Sequence, residues 1–150
     1  MRVFEVMTPH VDTVPPTMSA GDAWALMLQR HIRHLIVTSG REVVGILSER
    51  DAGGRAGSAI RAQLTVEDLM TAPVVTVGPN DTISSVANLM RGRIIGCVPV
   101  VERGRLMGIV TMSDLLDVLG RTTERQAKPH RPIATPPVTH GKRGSAMLGW

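Results

Sequence analysis

The chain repeats itself once, at a distance of 63 residues. Residues 3–51 align without a gap with residues 66–114, and 15 of the 49 aligned positions are identical. Unrelated sequences match at only a few positions in an alignment of this length, so the chain is a tandem duplication. A unit of about 60 residues buries little core by itself. The duplication therefore predicts two similar units that pack against each other.

Each unit shows the same order of strand and helix patterns. A short β-branched run is followed by a helix whose apolar residues recur at i, i+3, i+4 and i+7. Two apolar strands joined by a short polar turn come next, and a second helix closes the unit. We predict an α+β fold of two β-α-β-β-α units, packed sheet to sheet with pseudo-twofold symmetry. The predicted strands are Val11–Val14, Leu35–Thr38, Val43–Leu47, Val74–Val77, Cys97–Val101 and Leu106–Val110, and the predicted helices begin after Ser19 and Thr82 and near Ser48 and Thr111.

The net charge of +4 lies in the C-terminal tail. From Arg121 onward six basic residues stand against Glu124, whereas the first 120 residues hold 11 arginines and 12 acids. The body therefore lacks the basic surface of a nucleic-acid-binding domain. Four prolines and the lack of periodicity predict that the tail is disordered. The predicted division is residues 1–63 and 64–121 for the two units and residues 122–150 for the tail.

The sequence predicts a cytoplasmic protein. Its one cysteine, Cys97, fits a reducing compartment, and its first residues lack the basic-then-apolar pattern of a secretory signal. Its apolar runs fall well short of the ~20 residues that a membrane helix needs, so we expect no membrane partner.

A glycine, two aliphatic residues, a hydroxyl residue and, three positions later, an aspartate occupy the same place in both units. These segments are Gly45–Asp51 and Gly108–Asp114. The glycine allows a ligand or another backbone to approach closely. The hydroxyl and the first amides of the following helix suit a phosphate, and the aspartate suits two neighbouring hydroxyls such as those of a ribose. The same spacing is also that of an ordinary helix cap, and the two roles are compatible.

The repeated unit resembles a CBS domain, and the tandem resembles a CBS pair (Bateman module). The resemblance is carried by Val6–Thr8 and Leu69–Thr71, by Cys97–Val101 and by the two glycine-to-aspartate segments, and it covers about residues 1–120. It implies a β-α-β-β-α fold, a homodimer, and an adenosine ligand (AMP, ADP, ATP or S-adenosylmethionine) in clefts between the two units. It also implies a regulatory role exerted on a partner protein that the sequence does not identify.

Carried over position by position, the resemblance implies two nucleotide-binding clefts. Asp12 departs from the small apolar residue that the family usually has against the adenine. Arg33 and His34 would supply positive charge in the first cleft and Arg50 in the second, and the sequence does not decide which cleft is occupied. The first cleft would consist of Thr8, Asp12, Ile32, Arg33, Thr111, Ser113 and Asp114, and the second of Thr71, Val75, Ile95, Gly96, Ser48, Arg50 and Asp51.

The residues give little support for a metal site or a catalytic centre. His31 and His34 lack the carboxylate or cysteine partners of a metal site, and Cys97 lies within an apolar strand. No nucleophile with its base, no paired catalytic carboxylates and no P-loop can be assembled, so we predict neither an enzyme nor a catalytic cofactor. The alternative function is an interaction scaffold with empty clefts, whose basic tail contacts an acidic partner or nucleic acid.

Overall fold

The computed structural model describes residues 1–126, with the surroundings of side chains up to residue 121. Each unit contains one long helix followed by an antiparallel strand pair, and the second unit ends in a further long helix. The elements are β1 (Thr13–Val14), α1 (Ala20–Arg30), β2 (His34–Ser39), β3 (Glu42–Ser48), α2 (Ser58–Arg61), α3 (Val66–Leu69), α4 (Ile83–Arg93), β4 (Cys97–Glu102), β5 (Arg105–Thr111) and α5 (Met112–Gln126).

The predicted caps of α1 and α4 are confirmed. Ser19 Oγ accepts a hydrogen bond from the Asp22 amide at 3.1 Å, and Thr82 Oγ1 accepts one from the Ser85 amide at 3.2 Å. Each cap satisfies an amide of the first helical turn, which has no partner within the helix. The two helices therefore begin at equivalent positions of the duplicated units.

The two sheets are equivalent except at their first strand. In the first unit β1 pairs in parallel with β2, and the Ile36 amide donates to the Asp12 carbonyl at 3.3 Å. In the second unit a single parallel bridge joins Val77 to Val100, so the strand predicted at Val74–Val77 does not form. Pro99 occupies the position equivalent to Ile36, and its ring nitrogen has no hydrogen to donate to a neighbouring strand.

The first residues of each unit pack against the other unit. Thr8 exchanges backbone hydrogen bonds of 2.9 and 3.0 Å with Ile109, and Thr71 exchanges bonds of 2.8 and 3.1 Å with Ile46. These pairs are related by the same 63-residue shift. The two units are thus interlocked by an exchange of their N-terminal segments.

The apolar core reflects this exchange. One cluster combines α1, β2 and β3 with Val66 from the start of the second unit, and another combines α4, β4 and β5 with Val3 from the start of the first. A third cluster of Ile36, Cys97 and Ile109 joins the two sheets. The predicted α+β fold with sheet-to-sheet packing is therefore confirmed.

The helix predicted near Thr111 is confirmed as α5, but the one predicted near Ser48 is wrong. After Ser48 the chain turns, and helical structure resumes only at the 3₁₀ turn Gly54–Ala56 and at α2. Gly53 and Gly54 have φ angles of 88° and 61°, which a right-handed helix excludes.

The C-terminal helix extends beyond the predicted end of the second unit. Helix α5 reaches Gln126, five residues into the segment predicted as a tail. The remainder of that segment, and with it the prediction of a disordered basic tail, lies outside the described residues. Within residues 1–126, every helix is too short or too polar to cross a membrane.

Candidate functional site

A cavity of about 750 Å³ is lined by both units. The first unit contributes the start of β2, the end of β3 and the turn after β3, and the second contributes the end of α4 and the start of β4. Small-molecule sites usually enclose about 300–1,000 Å³, so the cavity has the size of a ligand site.

The aspartate of the first unit lies on the wall of this cavity and is held by its own turn. Asp51 Oδ2 accepts from the Ser48 amide at 3.2 Å, and Ser48 Oγ accepts from the Asp51 amide at 3.0 Å. This reciprocal pair has the geometry of a helix cap, although turns rather than a regular helix follow it. The cap fixes the carboxylate beside the cavity without occupying all of its acceptor capacity.

Thr71 connects the two units at the cavity wall. Its hydroxyl donates to Asp51 Oδ2 at 3.3 Å, while its backbone is held by Ile46. Thr71 belongs to the sequence of the second unit and Asp51 to that of the first. A ligand that hydrogen-bonds to Asp51 Oδ2 therefore shares this oxygen with a contact between the units.

The repeated glycines make room for the exchanged segments. A Cβ at Gly108 would lie 2.6 Å from the Thr8 carbonyl oxygen, and a Cβ at Gly45 would collide with the Met70 side chain. The sequence left open whether a ligand or another part of the chain approaches these glycines. In both units the close neighbour is the N-terminal segment of the opposite unit.

Burial changes the pKa values of two groups on the cavity wall. It lowers the pKa of His34 below the usual 6.5, an effect opposed by the nearby Asp51 carboxylate, so the imidazole is neutral at pH 7. It also raises the pKa of the Cys97 thiol to about 12, and the charge of Asp51 adds to this. Cys97 is therefore a buried, protonated thiol with little nucleophilic character.

Three arginines of the cavity wall keep much of their charge available. Arg33 Nε lies 3.9 Å from Glu49 Oε2, an exposed ion pair that stabilises little in water. Arg91, in the last turn of α4, donates to the Asn88 side chain at 3.2 Å. Within the part of the chain that the structure describes, the Arg50 guanidinium makes no hydrogen bond or ion pair. An anion in the cavity would meet cations that the fold leaves weakly engaged.

Both units match the model of a known domain family. The CBS domain model matches residues 3–52 and residues 66–121. The chain belongs to the CBS-domain family. The resemblance found in the sequence is thereby confirmed, and the two interlocked units are a pair of CBS domains.

The relatives of this CBS pair include a short protein and a larger enzyme. The CBS domain-containing protein YhcV of Bacillus subtilis is 31% identical over 114 residues, which are 75% of this chain and 81% of YhcV. The inosine-5′-monophosphate dehydrogenase of Korarchaeum cryptofilum is 39% identical over 106 residues, which are 70% of this chain but 21% of the dehydrogenase. The similarity to the enzyme is thus confined to a small part of its length.

Solved structures with the same fold include a liganded CBS pair. The CBS domain pair of protein MJ0100, in complex with 5′-methylthioadenosine and S-adenosyl-L-methionine, is 27% identical, with a TM-score of 0.74 over 81% of this chain and 98% of that one. The CBS-domain containing protein ATU1752 from Agrobacterium tumefaciens is 32% identical, with a TM-score of 0.72 over 79% and 99%. Both cover the body of the CBS pair described above.

The CBS pair also presents exposed apolar residues to the cavity. Ile94 is 92% exposed and Met112 is 52% exposed, although both line it. Ile94 ends α4 with a φ of 55°, a left-handed conformation that is rare for a β-branched residue. Exposed apolar groups and unusual backbone angles recur at binding sites, where a ligand rather than the core covers the side chain.

Most of the residues predicted for the second cleft meet in this cavity. Val75 does not line it and lies half-buried in the segment where the predicted strand fails to form. The role of the others in binding stays a prediction. The six that line the cavity are Ser48, Arg50, Asp51, Thr71, Ile95 and Gly96.

Arg33 and His34 also line the cavity that contains Asp51, although the sequence assigned their charge to the first cleft. The reason is that the helix-to-strand connections of the two domains meet. A Cβ at Gly96, in the second connection, would lie 3.6 Å from His34 Nε2 in the first. The Arg33 cation and the His34 imidazole of the first connection therefore reach the cavity of the second cleft.

The remaining residues of the predicted first cleft have other surroundings. Asp114 lines a separate cavity of about 300 Å³, and its Oδ2 accepts from the Thr111 amide at 2.8 Å and from the Thr111 hydroxyl at 3.0 Å. Asp12 forms an ion pair of 3.4 Å with Arg30. The residues that line neither of these two cavities are Thr8, Asp12, Ile32, Thr111 and Ser113.

Sequence reasoning did not assign Ile94, Met112 or Arg91 to a cleft, although all three line the cavity. An aliphatic residue near a helix end resembles core, so the exposure of Ile94 and Met112 was not visible in the hydrophobic pattern. Arg91 could have been found, since it aligns with Leu28 and so marks a place where the two units differ in charge.

Proposed function

We propose that this CBS pair is a regulatory module that binds an adenosine nucleotide between its two domains and signals the bound state to a partner protein. The observation that supports this most is the shared cavity, where Asp51 of one domain and Thr71 of the other meet through a hydrogen bond. The adenosine ligands of the CBS pair of MJ0100 support the class of ligand.

The chemistry of the cavity wall suits the parts of such a ligand. The Asp51 carboxylate would accept hydrogen bonds from ribose hydroxyls, which makes two charge-assisted contacts possible. The exposed side chains of Ile94 and Met112 would cover the adenine, and the arginines would meet phosphate. No step of covalent chemistry is needed, because the proposed output is a change in the relation of the domains.

Signalling would follow from the position of the Asp51 carboxylate. A ribose hydroxyl that donates to Asp51 Oδ2 would share this oxygen with the Thr71 hydroxyl, so binding would act on a hydrogen bond that joins the domains. A ligand that favours one arrangement of the domains shifts the population toward it, and a partner that contacts both domains can detect the shift. Formation of a homodimer and a cytoplasmic location belong to this proposal as well.

The first test is a thermal-shift titration with adenosine nucleotides and a guanosine control. A ligand at about 100 times its Kd adds about 2.7 kcal/mol of stability, which is a rise in Tm of several degrees for a chain of this size. The Asp51→Asn variant should lose most of this rise, because the neutral amide cannot replace a carboxylate that accepts from two hydroxyls.

Asp114→Asn is the matched control, since Asp114 caps an equivalent turn. Its Tm without ligand should fall about as much as that of Asp51→Asn, and its response to the nucleotide should remain. If no adenosine ligand raises the Tm of the unchanged protein, the proposed function is wrong. The predicted alternative, a scaffold acting through its basic tail, involves residues outside those described, and no observation here favours it.

A further inference from the structure

We infer that the cleft at Asp51 is the nucleotide site of this chain, and that it selects ligands with a di- or triphosphate over uncharged adenosine derivatives. This inference rests on the proposed function and specifies its ligand. It is carried by the charges of the cavity wall, by the difference between the two pseudo-symmetric clefts, and by the apolar residues exposed beside the cations.

The wall of the Asp51 cavity carries more cations than acids. Arg33, Arg50 and Arg91 line it together with Glu49 and Asp51. If Asp51 binds ribose and Glu49 remains near Arg33, then Arg50 and Arg91 are left without a carboxylate. Two unneutralised guanidinium groups beside one cavity attract an anion with more than one charge.

The pseudo-symmetric cleft has the opposite charge. The 63-residue shift replaces Arg50 with Ser113 and Arg91 with Leu28, and it places Asp117 where the Asp51 cavity has Gly54. The cavity that Asp114 lines holds one arginine, Arg121, and three carboxylates, those of Glu5, Asp114 and Asp117. Such a wall repels a phosphate chain, so the duplicated clefts are not equivalent in their choice of ligand.

The arginines of the Asp51 cavity have little structural role. Arg33, Arg50 and Arg91 are exposed, and the fold gives them only a long ion pair and one hydrogen bond within a helix. Arg61 shows what a structural arginine looks like in this chain, since it is buried and donates to the Ala52 carbonyl at 2.8 Å. The contrast indicates that the cavity arginines serve an external anion.

The exposed apolar residues explain why the anion should be a nucleotide. Ile94 and Met112 lie on the same cavity wall as the arginines, and water rather than protein covers much of their surface. A wall with apolar, ribose-binding and cationic groups matches the base, sugar and phosphates of one molecule. Free polyphosphate would leave the apolar groups uncovered and would offer Asp51 no hydroxyl.

The experiment is isothermal titration calorimetry of the full chain with adenosine, AMP, ADP and ATP, without divalent cations. Affinity should rise with each added phosphate, and ATP should bind at least about tenfold more tightly than adenosine, which is about 1.4 kcal/mol. Arg50→Ser and Arg91→Leu place at each position the equivalent residue of the other domain. Each should weaken ATP about tenfold and leave adenosine unchanged, because charge-assisted contacts to phosphate are lost.

Arg41→Ser is the control, since it removes an exposed arginine that lines neither cavity, and it should change the affinity of neither ligand. Equal affinities for adenosine and ATP would overturn this inference while the proposed function stands. A loss of ATP affinity in Asp114→Asn, with Arg50→Ser unchanged, would overturn the choice of cleft. Binding of tripolyphosphate as tight as that of ATP would exclude the nucleotide, and an absence of all binding would overturn the proposed function as well.

Discussion

Replacing each repeated glycine by alanine should have unequal effects on stability. At Gly108 the new Cβ would lie 2.6 Å from the Thr8 carbonyl oxygen, which is backbone and accepts the Ile109 amide at 3.0 Å. At Gly45 the nearest atoms are those of the Met70 thioether, whose flexible chain can adopt another rotamer. The same substitution therefore meets a rigid obstacle in one domain and a soft one in the other.

The size of each loss of stability depends on whether backbone or a flexible side chain must move to make room for the new Cβ. Overpacking costs about 1–3 kcal/mol, and each of the two hydrogen bonds between Thr8 and Ile109 contributes about 1 kcal/mol. We expect Gly108→Ala to lower the free energy of unfolding by about 3 kcal/mol and Gly45→Ala by about 1 kcal/mol. At roughly 4 °C per kcal/mol for a chain of this size, the Tm should fall by about 12 °C and about 4 °C.

Urea unfolding followed by circular dichroism measures the free energy of unfolding of both glycine variants. A second pair of substitutions, at Met70 and Met7, tests whether the Cβ contacts cause the losses. Met70→Ala should relieve much of the cost of Gly45→Ala, which a double-mutant cycle shows as a coupling between the two sites. Met7→Ala should relieve little of the cost of Gly108→Ala, since the Thr8 carbonyl remains in place. Equal losses in the two glycine variants, or full rescue by Met7→Ala, would refute the argument.

Two further predictions concern groups buried near the site. Cys97 should react slowly with a thiol reagent at pH 8 in the native state and fully in urea, and rapid labelling of the native protein would contradict this. Because burial raises the pKa of Cys97 to about 12, the contribution of this thiol to stability is complete below the usual thiol value of 9.0 and is lost as the pH rises from 9 toward 12. Arg61→Leu should lower the free energy of unfolding by about 2–4 kcal/mol, since it leaves the Ala52 and Gly54 carbonyls without their donor, whereas exposed Arg55→Leu should change it by less than about 0.5 kcal/mol.

The elements that local patterns determine were predicted well. The caps Ser19 and Thr82 act within one helical turn, and the strand pairs of both domains are continuous apolar runs, so neighbouring residues are enough to identify them. The fold followed because the same pattern occurs twice and one copy cannot bury its apolar face alone. The strand predicted at Val74–Val77 and the helix predicted near Ser48 do not form, because single residues override the local pattern there. Pro99 removes a hydrogen-bond donor from the second sheet, and glycines after Asp51 prevent a helix in the first domain.

The candidate site was predicted in part, for a similar reason. The family motif identified Asp51, Ser48 and Thr71, whose positions follow from the order of the elements. The direction of a long side chain depends on tertiary neighbours that no local pattern contains. Arg33 was therefore predicted for the first cleft although it lines the Asp51 cavity, and Ile94 was overlooked because its exposure results from the left-handed end of α4.

The two aspartates also differ in what their ligands would disturb. Asp51 Oδ2 accepts from the hydroxyl of Thr71, which belongs to the other domain, whereas Asp114 Oδ2 accepts from the hydroxyl of Thr111 in its own turn. Among the described residues, Thr8 and Asp114 form no bond equivalent to that of Thr71 and Asp51. A ligand at Asp114 Oδ2 would thus act only on the hydrogen bond from the Thr111 hydroxyl, which lies within one turn of one domain. A ligand at Asp51 would act on a contact between the domains, so the cleft that we propose for a nucleotide is also the one from which its binding could be transmitted.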